Sequence, residues 1–308
     1  MSILSAVWMF LIVLFHCSYE VHDRFYAELM SDCRMGGVGY FFVVSGYFVA
    51  RSFGGNSVLK DWIVVLRKRV RSLAVPYLIW CTVGLVCSFS FDNLLNAYGI
   101  IGICPTANNP LWYVKFLFCF AVVSPGMIFF SRVSAKMLLA IMVVLLVVVP
   151  FLPVPMKFSL WYSLAWFSVG IAVYYLRLNI SRQQPVLAVA LGAIWLGLFM
   201  LRLKYDSLSL RMYSASIAIV WTWCLSAYVM SGKIIGSGLR SFPVFFIYCS
   251  HAIVLGVILR FPLNSEFATL PFGAIVLAFV VYVAALLLAV VMSRCCPKLY
   301  SVVVGGRN

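Results

Sequence analysis

Residues 272–292, FGAIVLAFVVYVAALLLAVVM, form an apolar segment without a single charged side chain. A stretch of about 20 apolar residues can cross the hydrocarbon core of a bilayer as an α-helix. The segment Met137–Pro153 has the same character. Of the 308 residues, 65% are hydrophobic, and the mean hydropathy is +1.07, whereas soluble domains contain about 45–50% apolar residues. The sequence therefore predicts an all-α fold, a polytopic bundle of transmembrane helices.

Division of the chain at its charged residues predicts about ten spans. They are residues 3–19, 36–52, 73–91, 111–130, 137–153, 158–176, 185–201, 213–231, 242–261 and 272–292. With both termini cytoplasmic, 15 of the 23 Lys and Arg residues lie inside, seven lie outside and Lys115 lies within the fourth span. This is the bias that the positive-inside rule requires. We therefore predict one membrane domain over residues 1–293 and a short cytoplasmic tail over residues 294–308.

Two residues near the end of the first span interrupt its apolar pattern. His16 stands in LFHCSYE, residues 14–20, and an ionisable group at membrane depth is a functional candidate because it is costly to bury. Its alternative role is an interfacial histidine bonded to a neighbouring helix. Glu20 shares the helical face of His16 if the helix continues, where it would orient the imidazole of a general base. Otherwise Glu20 is a solvated loop acid.

Further polar residues occur in three later spans. Lys115 follows Trp112 in NPLWYVKFLFCF, residues 109–120, and either reaches towards the interface or faces an oxyanionic group inside the bundle. In FFVVSGYFVARS, residues 41–52, Gly46 is predicted to allow close helix packing, while Ser45 and Tyr47 are candidates for the wall of a cavity. His251 in IYCSHAIVL, residues 247–255, follows Tyr248 by three residues; it either contacts substrate or bonds another helix.

The stretch RKRVRSLAVPY, residues 67–77, places four cations within five positions. Such a cluster either holds the adjoining span on the cytoplasmic side or binds an anion. On a helix, Arg67 and Arg71 share one face, while Lys68 and Arg69 point elsewhere. The cluster is therefore predicted to divide between an anion site and lipid headgroups.

The order and spacing of these stretches resemble the acyltransferase-3 family of bacterial membrane O-acyltransferases, which modify envelope sugars and other acceptors. The resemblance rests on VLFHCSYE, GGVGYFFVVSGYFVARSF, LRKRVRSLAVPYLIW, NPLWYVKFLFCFAVVSP and FFIYCSHAIV. It implies that His16 is the catalytic base and that Arg69 is the arginine preceding the family's xPY motif. The chain departs from the family pattern at Ser5 and Ser72, where relatives often carry arginine.

The resemblance also implies a donor, acyl-CoA and most often acetyl-CoA, on the cytoplasmic side of a bacterial inner membrane. The acceptor would be a saccharide or lipid-linked saccharide arriving from outside. Because coenzyme A carries phosphates, the cluster offers charge-assisted donors for it. The predicted cofactor-binding residues are Arg67, Lys68, Arg69 and Arg71. The donor's pantetheine arm would cover much of the distance to His16, up to ~30 Å of hydrocarbon.

The remaining site predictions follow from that scheme. Glu20 orients His16 and Lys115 stabilises the oxyanion. The predicted substrate-binding residues are Ser45, Tyr47, Trp112, Tyr248 and His251. Membrane lipid is a further predicted partner, whereas no metal site and no nucleic-acid partner are expected. The alternative function is a transporter or flippase for a polar or anionic substrate, although the sequence shows no inverted repeat typical of that class.

Overall fold

The computed structural model describes residues 2–19, 21–54, 57–88, 94–99, 108–152, 157–178, 185–205, 207–231, 243–260 and 269–306. Within these residues all regular elements are helical, which confirms the predicted all-α class. The α-helices are α1 (Ser2–Cys17), α2 (Arg24–Arg51), α3 (Val58–Arg69), α4 (Val75–Ser88), α5 (Leu94–Ala97), α6 (Trp112–Val148), α7 (Ser163–Tyr175), α8 (Pro185–Lys204), α9 (Leu208–Ser231), α10 (Val244–Ile258), α11 (Pro271–Cys295) and α12 (Pro297–Val303).

Within the part of the chain that the structure describes, five helical runs are long and apolar enough to cross a membrane. They are Arg24–Arg51, Val58–Ser88, Asn109–Phe151, Pro185–Lys204 and Pro271–Cys295. Three shorter apolar helices cover Leu4–Cys17, Leu160–Tyr175 and Val244–Ile258. The structure thus supports a multi-pass helical protein, while the number of ten spans and the orientation of the termini stay predictions.

Helix α2 starts well before the predicted second span, which began at residue 36. Its first residue follows Asp23, whose carboxylate accepts a hydrogen bond from the Tyr26 backbone N–H at 2.7 Å and so caps the helix. The added turns contain the buried acids Glu28 and Asp32. Both acids fall between the first two spans predicted from hydropathy. Hydropathy averages neighbouring residues only, so it leaves out the distant arginines that pair with these acids.

Those arginines come from the α8–α9 hairpin. Arg202 is 1% exposed and forms ion pairs with Glu28 and Asp32. Arg211 lies 3.0 Å from Glu28, and the Trp195 indole donates to Asp32 at 3.1 Å. Since buried charges require partners, this network fixes how α8 and α9 pack on α2.

The basic stretch lies within a continuous helical run rather than in a loop before a span at residue 73. Helices α3 and α4 join through a π-helical turn over Val70–Ala74, in which the Val75 N–H donates to the Val70 carbonyl. Pro76 has no N–H, so it cannot donate to the carbonyl of Ser72 four residues earlier. A π-turn shifts the faces of a helix, and here it separates the cations of α3 from the apolar run of α4.

The predicted fourth and fifth spans occur within the single run α6. A break separates them at Ser134, where φ is −155° and ψ is 94°. The Ser134 hydroxyl accepts a hydrogen bond from the Met137 backbone N–H at 3.2 Å, as a cap at the start of a new helical segment does. The break falls between the two predicted spans, at residues 131–136.

Helices α2 and α7 cross closely at two glycines. A Cβ atom on Gly46 would lie 1.9 Å from the Phe167 carbonyl oxygen, and one on Gly170 would lie 2.0 Å from the Val43 carbonyl oxygen. Small residues allow such contact between backbones in a membrane bundle. The packing role predicted for Gly46 agrees with this geometry.

Changing Gly46 to alanine is expected to destabilise the bundle by about 1–3 kcal/mol, because α2 and α7 must move apart. The measurement is thermal denaturation of the purified protein in detergent. Gly126 is the matched control, since nothing lies within 4 Å of a Cβ placed there. Equal losses of stability in Gly46→Ala and Gly126→Ala would contradict the proposed crossing.

Candidate active site

Two histidines that are distant in the sequence meet where α1 packs on α10. The ring centroids of His16 and His251 lie 5.0 Å apart with an angle of 50° between the planes. His16 is partly accessible near the end of α1, whereas His251 is fully buried. The sequence singled out each histidine, but it did not predict that the two rings would be neighbours.

The surroundings of His251 determine which nitrogen carries its proton. Its Nδ1 atom lies 2.7 Å from the Tyr248 carbonyl oxygen and 3.2 Å from that of Ile247. Carbonyl oxygens only accept hydrogen bonds, so Nδ1 is the donor and Nε2 of the neutral ring is an acceptor. Within the described part of the chain, Nε2 has no hydrogen-bond partner. A buried acceptor beside His16 is thus available to orient that imidazole or an incoming hydroxyl.

Among the described residues, two cavities adjoin His16, and Tyr19 also lines both of them. The first has a volume of about 300 Å³ and otherwise apolar walls from α10 and α11, including Leu255, Leu259 and Leu277. The second, about 350 Å³, has a more polar wall. Its polar lining residues include Ser88, Asn108, Asn109 and Arg260. His16 can therefore meet a polar molecule through one cavity and an apolar group through the other.

A third cavity, about 500 Å³, contains Arg69 and is called the Arg69 cavity below. Its lining includes Ser5 and Met9 from α1, Ser45 from α2 and Tyr248 from α10. Ser5 precedes His16 by eleven residues, which corresponds to about 16 Å along a helix at 1.5 Å per residue. The Arg69 cavity and the His16 cavities thus lie towards opposite ends of α1.

Aromatic rings link the two regions. Tyr248 lies in the wall of the Arg69 cavity, and its ring centroid is 5.9 Å from that of His251. The ring centroids of Tyr113 and Tyr248 lie 5.4 Å apart, and the Tyr113 hydroxyl lies 3.3 Å from the Ser45 hydroxyl. The Tyr248 hydroxyl also donates to the Pro110 carbonyl. His251 and Tyr248 therefore stand between His16 and the Arg69 cavity.

Only one cation of the basic cluster turns into this cavity. Arg69 is partly buried and lines the cavity, whereas Arg67, Lys68 and Arg71 are exposed on the helix surface. Arg69 is therefore the inward member of the cluster, while the division of the cluster between an anion site and lipid headgroups stays a prediction.

Three other predicted site residues, Lys115, Trp112 and Tyr47, are absent from the linings of these cavities. The Lys115 ammonium donates to the Gly99 carbonyl at 2.5 Å. Trp112 packs against Phe42 and Phe116. Tyr47 packs on Tyr174 from α7, with ring centroids 5.4 Å apart. Glu20, the predicted partner of His16, falls outside the described residues.

The sequence did not predict that Tyr113 and Arg34 lie near the candidate site. Tyr113 is next to the predicted Trp112, but only the rotation of α6 decides which of the two rings faces the cavity. Arg34 places its guanidinium 4.4 Å from the ring centroid of Phe15, the residue before His16. The sequence position of Arg34, between the first two predicted spans, shows no relation to α1.

Comparison with known proteins adds one match. A family model described as an acyltransferase domain matches residues 3–294, nearly the whole chain. Neither the curated proteins nor the solved structures give a match. The matched range includes His16, His251 and all four cations of the basic cluster.

Proposed function

Because the chain belongs to the acyltransferase-3 family, and is accordingly a membrane acyltransferase, we propose that it is an O-acyltransferase of the bacterial inner membrane. It moves an acyl group, most often acetyl, from cytoplasmic acyl-CoA to a hydroxyl of an envelope, exported or lipid-linked saccharide. The observation that carries this proposal is the placement of His16 and Arg69 in separate cavities towards opposite ends of α1. Such an arrangement suits a donor and an acceptor that arrive from opposite sides of a membrane.

The Arg69 cavity is the proposed donor site. Arginine binds phosphate through charge-assisted hydrogen bonds, and Arg69 is the cluster's inward-facing cation. A volume of about 500 Å³ is within the ordinary range for ligand sites. Its wall includes Ser45, Tyr113 and Tyr248 among apolar side chains, which suits a pantetheine arm with its amides and thioester. In this proposal the Arg69 end faces the cytoplasm.

The polar cavity beside His16 is the proposed acceptor site. Asn108 and Asn109 lie in its wall together with Ser88 and Arg260, and such side chains hydrogen-bond sugar hydroxyls. The Asn108 amide donates to the Cys249 carbonyl at 3.0 Å, which ties this wall to α10 close to His251. A bound sugar hydroxyl would then lie within reach of the His16 imidazole.

The proposed reaction is a direct acyl transfer. A neutral ring nitrogen of His16 takes the proton of the acceptor hydroxyl while the hydroxyl oxygen bonds to the thioester carbonyl carbon. The carbon–sulfur bond then breaks, and the imidazolium returns its proton to the coenzyme A thiolate. The products are an O-acyl ester and free coenzyme A. The intermediate's oxyanion needs a nearby donor, and Arg34 lies close to His16 on Phe15, whereas Lys115 is engaged by Gly99.

The function is tested with inside-out membrane vesicles that contain the protein, given acetyl-CoA labelled on its acetyl group. We expect label to enter vesicle glycans, and matched vesicles without the protein should show none. Absence of transfer from acetyl-CoA and longer acyl-CoA donors, with the protein inserted and native glycan present, would contradict the proposal.

A second measurement tests the donor site. Arg69→Gln is expected to raise the KM for acetyl-CoA by about ten- to 100-fold, since a hydrogen bond to a charged group contributes about 1.5–3 kcal/mol. Arg67→Gln is the matched control, because Arg67 is exposed on the same helix. Equal KM values in the two variants would remove Arg69 from the donor site.

A further inference from the structure

The C-terminal segment, residues 297–306, lies beyond the part of the chain that the family model matches, which ends at residue 294. The sequence predicted only a short cytoplasmic tail there. In the structure the segment forms α12, followed by a turn in which Gly305 and Gly306 have φ angles of 67° and 71°. This turn brings the chain back onto the bundle.

Two contacts dock this segment beside the basic cluster. The Trp80 indole donates to the Val303 carbonyl at 3.1 Å. Gly305 lies directly on the π-turn, since a Cβ there would be 2.5 Å from the Ser72 carbonyl oxygen. That carbonyl is the one to which Pro76 cannot donate. The left-handed backbone and the close approach both require glycine at position 305.

The docked segment supplies part of the wall of the Arg69 cavity. Tyr300 and Val304 line the cavity that also contains Arg69 and Phe246. Tyr300 is half-buried, and its ring lies on that of Phe246 with centroids 5.7 Å apart and 31° between the planes. The cavity therefore combines a supported aromatic surface with a guanidinium group.

We propose that Tyr300 is a donor-binding residue that contacts the nucleotide portion of acyl-CoA, and that the C-terminal segment is a functional wall of the donor site. The inference rests on the proposed function and deepens it. Arginine pairs with phosphate, and an aromatic side chain stacks on a nucleobase with about 1–3 kcal/mol per base. Tyr300 and Arg69 together offer both contacts in one cavity, so a nucleotide is the chemical group that fits them.

The test compares three substitutions in the full-length protein. Tyr300→Ala is expected to raise the KM for acetyl-CoA about tenfold, with kcat and the acceptor KM within about twofold of the unsubstituted protein. Tyr300→Phe keeps the ring and should retain the original KM. Leu299→Ala is the matched control, because Leu299 is 52% exposed on the same helix. For S-acetylpantetheine, which has no nucleotide, Tyr300→Ala should have the same KM as the unsubstituted protein.

The same variants are compared for thermal stabilisation by coenzyme A, which requires no acceptor. Stabilisation of the unsubstituted protein, Tyr300→Phe and Leu299→Ala, with loss in Tyr300→Ala, would support the inference. Equal thermal stabilisation of Tyr300→Ala and Leu299→Ala by coenzyme A would overturn the role of Tyr300 while leaving the proposed acyl transfer intact. If Tyr300→Ala raised the KM for S-acetylpantetheine as much as that for acetyl-CoA, Tyr300 would have a packing role, and this result would also overturn the inference. Stabilisation by coenzyme A without transfer in the unsubstituted protein would instead count against the proposed reaction.

Discussion

Replacement of His16 by glutamine is expected to lower the rate of acyl transfer by about 10²–10⁴-fold, the usual contribution of a general base. Glutamine keeps hydrogen-bonding capacity but does not take up a proton at neutral pH. Donor binding should persist, because His16 is absent from the lining of the Arg69 cavity. The loss is measured as the initial rate of label transfer to glycan, and donor binding is measured as thermal stabilisation by coenzyme A.

His22 provides the control for this experiment, because it is a nearby histidine that is exposed to solvent. His22→Gln should transfer label at the normal rate. His251→Gln is expected to give a smaller loss of rate than His16→Gln, with a changed pH profile, because the His251 ring lies beside that of His16. Full activity of His16→Gln would exclude His16 as the base and would direct attention to His251.

Replacement of Arg202 by methionine destabilises the protein by about 3–5 kcal/mol, because two buried carboxylates lose their shared partner. Methionine fills much of the volume of arginine, so the lost stability would come from the missing charge rather than from a cavity. Thermal denaturation in detergent measures it. Lys204→Met, an exposed position on the same helix, should change the stability little.

A combined variant separates charge pairing from packing at this site. Adding Glu28→Gln and Asp32→Asn to Arg202→Met removes the unpaired negative charges. It should therefore recover part of the lost stability. A combined variant less stable than Arg202→Met alone would show that the carboxylates stabilise the fold through their other partners, such as Ser214 and Trp195.

The sequence predicted the helical class and the apolar helices because membrane insertion depends on local composition. The apolar run in α11 needs no partner to be recognised. The same logic failed at the start of α2. There, the acids Glu28 and Asp32 resemble loop residues in the sequence. Their partner Arg202 comes from α8, far along the chain, so an average over neighbouring residues does not include it.

The candidate site shows the same division. The sequence singled out His16 because it is a polar residue within an apolar segment, and it singled out Arg69 because that residue precedes the xPY motif of the family. The contact of His16 with His251 was not predictable, since it depends on how α1 and α10 pack. Helix rotation decides that Arg69 alone of the four cations, and Tyr113 rather than Trp112, lines the cavity.

By itself, then, the sequence determined the helical class, the apolar segments and the residues too polar for their depth, all of which follow from composition along the chain. Only the tertiary structure decided which of those residues meet. It placed the two histidines side by side, paired the acids of α2 with Arg202 and brought Tyr300 and Arg69 into the lining of one cavity. The physical reason is that insertion energies add residue by residue, whereas contacts between distant helices depend on the rotation and close approach that small residues such as Gly46 allow.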